Sequence, residues 1–217
     1  DLPLNEGLLE PVDLRIPEGL LNPPYVDDPR LCPAVVGGNV ETSQRLVDTL
    51  IESLGLAGSS QGTMNNISFG DENFGYYETV GGGSGAVDGF AGESGVHTHM
   101  TNTRITDPEV LEHRYPVRMH RFAIRRGSGG DGRWRGGDGL IREIEFLDDL
   151  EFSILSQHRV SAPFGMYGGG EGAVGRQVIV RADGCRHELE GIDGCDVSPG
   201  DRLILETPGG GGYGKSE

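Results

Sequence analysis

Apolar positions recur with a clear helical period in one stretch. Leu46, Val47, Leu50, Ile51 and Leu54 stand at i, i+1, i+4, i+5 and i+8 and form one stripe, so the spacing predicts an amphipathic helix over residues 40–54. Asn39 is placed to cap its start, Glu41 lies in its first turn and Gly55 follows its end. Asp107 and Pro108 mark a second, shorter helix that must stop before Tyr115-Pro116. Beyond residue 116 the period falls to two, which predicts strands over 117–125, 140–147, 152–158, 177–181 and 202–206. Short β-like runs at 66–69 and 74–80 alternate with glycine clumps across 58–95. The first 39 residues are interrupted by seven prolines and read as extended chain, with one short strand allowed where Val12 and Leu14 alternate with Asp13 and Arg15. The pattern gives an α+β fold: β-rich, with Gly-rich loops, one amphipathic helix near 40–54 and an antiparallel β C-terminal half. Residues 1–116 form a mixed region carrying the candidate site and residues 117–217 a β-rich region, the two together one compact piece.

Composition narrows the picture. Glycine makes up 38 of 217 residues, far above the usual share of roughly 7%. The glycines sit in clumps, at 81–83, 168–170 and 209–212, and not at every third position, which excludes collagen. Apolar runs at 45–56, 177–180 and 202–205 exclude a disordered linker. No run approaches the roughly 20 apolar residues of a membrane span. A net charge of −16 repels nucleic-acid phosphates and anionic lipid, so neither is expected as a partner. Cys32, Cys185 and Cys195 are too few and too widely spaced for a disulfide scaffold or a zinc knuckle. With no signal peptide visible, the expected location is cytoplasmic. The first residue is Asp1, which leads us to expect a piece of a larger polypeptide.

Three catalytic patterns match literally and fail on context. Residues 209–216 satisfy the phosphate-loop expression G-x-x-x-x-G-K-[ST], yet no helix follows. Residues 58–62 match G-x-S-x-G around Ser60, but a helix enters where a strand is required. Residues 127–132 match G-x-G-x-x-G and run into Arg133-Trp134-Arg135 where a helix should begin. The densest chemistry lies at 97–107. If that segment is extended, His97, His99 and Thr101 share a face, where two imidazoles could hold a metal or move protons near neutral pH. The alternative is a self-satisfied polar network of His, Thr, Asn and Arg. The candidate catalytic residues are His97, His99, Asn102, Arg104 and Asp107. Asn65 and Asn66 form a second candidate, as paired amides able to hold a carbonyl or, alternatively, as an Asx turn. The basic patch of Arg125, Arg126, Arg133 and Arg135 is read as paired with Asp131, Asp138, Glu143 and Glu145.

Several ordered motifs then become specific: Pro3-Leu4-Asn5-Glu6-Gly7, residues 37–45, Ser60-Gln61-Gly62-Thr63-Met64-Asn65-Asn66, residues 97–109, Arg114-Tyr115-Pro116-Val117, residues 127–130 with 135–139, and Thr207-Pro208 with the glycines to Gly214. Together they closely resemble the hydantoinase B / 5-oxoprolinase family over nearly the whole chain. The resemblance implies a component of an ATP-dependent amidohydrolase that opens a lactam or cyclic imide of the 5-oxoproline or hydantoin type. A hydantoinase A-like half binds ATP and Mg and phosphorylates the amide oxygen, and a hydantoinase B-like half hydrolyses the activated species. Phosphorylation turns a poor electrophile into one with a leaving group. The resemblance implies that this chain corresponds to the C-terminal portion of the hydrolytic half, is inactive alone, and itself holds neither ATP nor metal. A divalent metal would lie on an N-terminal segment and the nucleotide on the partner. The same resemblance leaves open a non-catalytic assembly module, or a subunit of a related ATP-dependent ketone carboxylase.

Overall fold

The computed structural model describes residue 7 and residues 10–32, 41–99, 101 and 103–216. The chain divides into two compact units, Asp1–Val35 and Val36–Glu217. The described part of the first unit is extended and exposed. Its local order comes from a bridge between Gly19 and Asn22, a bond from Asn22 Nδ2 to the Ile16 carbonyl (3.0 Å) and short-range Arg-Asp pairs such as Arg15–Asp13. No strand forms at Val12–Leu14, contrary to expectation. Prolines at 11 and 17 remove backbone donors on either side, and a strand without a partner has no ladder to join.

The second unit opens with helix α1 (Glu41–Ser53) and contains α2 (Pro108–Arg114) and nine strands. Gly55 closes α1 as expected. At φ +65 it allows Leu56 N to reach the Ile51 carbonyl (3.1 Å) while Gly55 N bonds Glu52 (2.9 Å), the paired bonds of a Schellman end. Asn39, the expected start cap, lies outside the described residues. The Asp107 carboxylate caps α2 through Glu109 N at 2.9 Å, with Pro108 at the first turn.

The strands are β1 (Asn66–Gly70), β2 (Gly75–Glu78), β3 (Val117–Arg125), β4 (Gly139–Phe146), β5 (Leu150–Leu155), β6 (Arg176–Val180), β7 (Arg186–Leu189), β8 (Ile192–Val197) and β9 (Arg202–Glu206). They build two antiparallel sheets, one ordered β2-β1-β5-β8 and the other β3-β4-β9-β6-β7. Strands from both sides of residue 116 thus share the first sheet. Period-two side chains, Ile67 and Phe69, Phe152 and Ile154, Ile144 and Phe146, Leu203 and Leu205, meet in one core with Leu111 of α2. Phe146 joins the sheets, with ring centroids 5.8 Å from Phe69 and 6.0 Å from Phe152. Burying such side chains contributes about 1.5–3 kcal/mol each.

One inward position of β4 is not apolar. Arg142 stands between Leu140 and Ile144, fully enclosed, and its Nη2 lies 2.8 Å from Glu78 Oε2 on β2. The pair bridges the two sheets. Its approach is poorly directed for a hydrogen bond, and Arg142 Nε and Nη1 are left without acceptors. Burial holds Arg142 below the usual guanidinium value, with Glu78 opposing.

The glycine clumps form a third structural layer. Irregular segments at 58–61, 82–86, 92–96, 128–138, 163–173 and 207–214 are joined laterally by backbone hydrogen bonds, among them Gly83 N to Pro208 O, Gly137 N to Ser84 O, Gly130 N to Gly210 O and Ala86 N to Gly211 O (2.8–3.0 Å). A Cβ at Gly211 would overlap the Phe164 carbonyl oxygen, and one at Gly83 would overlap that of Gly137. The segments pack at a distance that only hydrogen on Cα permits.

Candidate functional site

The three literal motifs fall inside this glycine layer, and the layer consumes their donors. The amides of Gly209, Gly210, Gly211, Gly212, Tyr213 and Gly214 bond the carbonyls of Ala173, Gly137, Ser59, Gly170, Trp134 and Met166, so none points at a phosphate. Ser60 is buried; its hydroxyl accepts from Gly85 N (3.2 Å) and has no hydrogen bond to an imidazole among the described residues. Gly129 N and Gly130 N are likewise taken, by Asp138 Oδ1 and the Gly210 carbonyl.

Chemistry gathers instead beneath α1, because the helix is inverted. Of its apolar stripe, Leu46, Leu50 and Leu54 face outward, at 39, 53 and 69% exposure, and Val47 and Ile51 are half-buried, while Glu41, Gln44 and Asp48 are buried. These three occupy i, i+3 and i+7 and therefore share one face. Gln44 Nε2 donates to the Thr98 carbonyl (2.9 Å) and Thr101 Oγ1 (2.7 Å). Asp48 Oδ1 lies 2.9 Å from His99 Nε2 and accepts from Ser60 N at 3.2 Å. Glu41 Oε1 accepts from Thr63 Oγ1 and Met64 N, each at 3.1 Å.

The cluster continues into the loops beyond. Asn65 Nδ2 donates to Gln61 Oε1 (2.8 Å) and the Val80 carbonyl (3.0 Å), and Asn65 Oδ1 accepts from Arg159 Nη2 (2.9 Å). Arg159 is fixed further by Gln177 Oε1 (2.6 Å) and the Gln157 carbonyl (2.7 Å). His158 Nδ1 donates to the Ser161 carbonyl (2.7 Å), while its Nε2 meets Arg45 Nη1. Three of the four non-glycine residues with positive φ among the described residues, Asn65, His99 and His158, belong to this cluster. Such conformations persist where surrounding contacts over-determine them, and they concentrate at functional sites.

The electrostatics are those of a water-poor interior. Burial pushes the Glu41 carboxyl up, opposed by its bonds from Met64 and Thr63 and by Arg159 and Arg45. Burial pulls His158 down to about 4, so it is neutral at pH 7 and its Nε2 is a lone-pair acceptor. Glu41 Oε2, Gln44 Oε1 and Asp48 Oδ2 are enclosed without donors. Among the described residues no group of three or more His, Cys, Asp and Glu side chains is arranged to hold a metal ion. Two surface clefts, of about 1030 and 710 Å³, are lined by other residues.

The residues expected from sequence divide accordingly. His99 and Asn65 sit within the cluster, His99 with its side chain about 10% exposed. His97 is half-buried apart from it, its Nδ1 enclosed without a partner and its pKa lowered by burial. The segment is not a strand: His99 adopts φ +56, so the common face expected for His97 and His99 does not form. Asn102 lies outside the described residues. Arg104 is exposed, and Asp107 is occupied as the cap of α2. Asn66 Oδ1 accepts from Tyr77 Oη (2.7 Å) and its Nδ2 is enclosed without a partner. Sequence reasoning missed Glu41, Gln44, Asp48, His158 and Arg159. The one signal was the i, i+3, i+7 spacing of the first three, which reads equally well as a solvated face.

The family description "Hydantoinase B/oxoprolinase" matches residues 1–216. The chain belongs to the hydantoinase B/oxoprolinase family. It is 50% identical over 216 residues to 5-oxoprolinase 1 of Arabidopsis thaliana, covering 100% of this chain and 17% of that protein. The ATP-dependent caprolactamase of Pseudomonas jessenii superposes with a TM-score of 0.64 at 26% identity, over 74% of this chain and 30% of the other. An acetone carboxylase shares the fold at TM-score 0.58 and 18% identity, over 73% of this chain and 26% of that one. The family member described here thus spans about a sixth of its plant relative. No helix among its described residues is long and apolar enough to cross a membrane.

Proposed function

We propose that this chain is part of the hydrolytic half of an ATP-dependent cyclic amide hydrolase acting on a lactam or cyclic imide of the 5-oxoproline or hydantoin type. Its partner is a hydantoinase A-like half that carries ATP and Mg, and a divalent metal lies on another segment of the hydantoinase B-like polypeptide. The observation that carries this reading is identity at half of all positions, over the whole chain, to a 5-oxoprolinase. Within the site, His99 is the proton-handling residue. The contact between His99 Nε2 and Asp48 Oδ1 orients the ring so that Nδ1 is the nitrogen turned away from the carboxylate. Asp48 acts as a positioning residue, fixing the ring as the carboxylate does in an Asp-His pair. ATP supplies an O-phosphorylated amide, against which His99 Nδ1 can take a proton from water or return one to the ring nitrogen. Asn102 is a second catalytic candidate, and Asn65, held by Arg159, belongs to the substrate-binding side.

The test is coupled ATP and 5-oxoproline turnover by the full-length enzyme with its ATP-binding half. His99→Ala should lower kcat by about 10²–10⁴, and Asp48→Asn should lower kcat more than it changes KM. Full activity in both His99→Ala and Asn102→Ala would sink the assigned site.

A second reading, a non-catalytic assembly module, is favoured by the outward apolar stripe of α1. Ser at Leu50 and Leu54 together separates the two: lost complex formation with unchanged turnover per assembled complex supports the module.

A further inference from the structure

The 710 Å³ cleft lies on the outer face of the five-stranded sheet and is lined by Arg121 and Arg125 of β3, Arg126, Ile141 of β4, Arg176 of β6 and Glu206 of β9, with Ala123 and Ile124 completing it. Four guanidinium groups face one carboxylate there, in a chain of net charge −16. Of the acidic residues expected to pair with Arg125, Arg126, Arg133 and Arg135, none pairs with a cleft arginine among the described residues, and Asp131 lies 3.9 Å from Arg135. Glu143 binds Arg202 at 2.7 Å, and Glu145 lies 2.7 Å from His120 and 3.6 Å from Arg118. Asp138 binds Arg135 at 3.0 Å. Glu206 serves both Arg176 (2.6 Å) and Arg125 (3.4 Å) through the same oxygen. The Arg121 and Arg126 guanidinium groups are exposed and have no ion pair or hydrogen bond among the described residues.

The inner wall is preorganised. Arg125 Nη1 donates to the carbonyls of Val174 (2.7 Å) and Thr207 (3.1 Å), which fixes the fork of a side chain only 19% exposed. Burial pulls Arg125 below the usual guanidinium value, Glu206 opposing and Arg176 adding to the effect. The positive field extends inward: Arg125 also acts on Arg159, whose guanidinium lies beside Gly175, where the Glu206 carbonyl also approaches. Fixed guanidinium forks in a concave, partly apolar site are the arrangement that recognises phosphate or carboxylate oxygens, and the volume is in the range of small-molecule sites.

We infer that this cleft binds a small polyanion through its phosphate or carboxylate oxygens, with Arg125 and Arg176 as the fixed floor and Arg121 and Arg126 closing over the ligand. The inference does not rest on the amidohydrolase reading. Isothermal titration of the full chain with inorganic pyrophosphate, and separately with citrate, at low ionic strength tests it. One-site saturation is expected, and the stronger of the two probes identifies phosphate or carboxylate as the preferred group. The double variant Arg121→Gln/Arg126→Gln should weaken binding at least tenfold with an unchanged melting curve. Arg133→Gln, on the exposed arginine stacked 5.7 Å from the Trp134 ring, should leave it unchanged. No saturable binding of either probe, or an equal loss in Arg133→Gln, overturns the inference.

Discussion

His158 shows at the scale of one residue how the interior settles a protonation state. Its folded pKa of about 4 lies below the roughly 6.5 of an unfolded histidine, so between those values the unfolded chain binds the extra proton. Stability is therefore complete above pH 6.5 and is lost as pH falls toward 4, by up to one proton's worth, about 1.4 kcal/mol per pH unit. Glu41, raised by burial, acts in the opposite sense: its contribution is present below its unfolded value and is lost as pH rises through the folded one. Comparing urea midpoints of wild type and His158→Asn from pH 7 to pH 4 isolates the histidine. Asn tolerates the φ of +52, and the gap between the two proteins should shrink as pH falls; a constant gap would contradict the assignment. Arg142 gives a second residue-scale case. Glu78→Gln strands a buried cation and should cost about 3–5 kcal/mol, whereas Glu78→Met with Arg142→Met should cost far less. Denaturant titration of the single and double variants decides it. Neither residue stood out in the sequence. Arg142 belongs to an alternating run that reads as an ordinary strand, and only the facing position of Glu78 on another sheet gives it meaning.

At the scale of elements, the period of α1 was legible and its orientation was not. A stripe of Leu46, Leu50 and Leu54 reports a helix with two unlike faces, and the usual inference turns the apolar one inward. Here the partner surface is the polar ground of Thr63, Ser60, His99 and Thr101, which offers hydrogen bonds to Glu41, Gln44 and Asp48 and little apolar area to the leucines. Mutational sensitivity should therefore be inverted. Leu50→Ser should shift stability of the isolated chain by about 0.5 kcal/mol or less, while Gln44→Ala, which strips the Thr98 carbonyl and Thr101 of a buried donor, should cost about 1–3 kcal/mol. Urea titration checks both, and the usual order of sensitivities would refute the inverted packing. The expected strands at 117–125 and 202–206 match β3 and β9; β9 alternates cleanly between buried and half-buried positions, whereas β3 does not and shifts register between Met119 and Arg121. Strands β7 and β8 were missed. Their sequences Arg-His-Glu-Leu and Ile-Asp-Gly-Cys-Asp-Val carry few core side chains, and only neighbouring strands make them β. The candidate site was half legible for the same reason: His99 and Asn65 announce themselves by residue type, whereas Asp48 and His158 become partners only through contacts 51 and 113 residues apart in sequence, to His99 and Arg45.

For the molecule as a whole, the glycine excess is a packing device. The segments it builds run from residue 58 to residue 214 and tie the loop beneath α1, the connection before β4 and the chain after β9 into one hydrogen-bonded layer. Because the neighbours are backbone carbonyls and not flexible side chains, an added methyl group has nowhere to go. Gly83→Ala places a Cβ against the Gly137 carbonyl and the Gly210 amide, and parting those strands disturbs the bonds from Gly83 to Pro208 and from Gly210 to Gly137. A cost of about 3 kcal/mol, the upper end of overpacking, is expected. Gly75 is the control: it starts β2, has no positive φ, and a Cβ there meets nothing within 4 Å. Gly75→Ala should change stability by about 0.5 kcal/mol or less. Native-state hydrogen exchange distinguishes a local scar from a global one. If the layer is a single cooperative unit, Gly83→Ala lowers protection at Gly130, Ala86 and Gly211 together, although these amides belong to three different segments. Loss confined to residues 82–86 would mean that the segments are independently stable loops that merely touch.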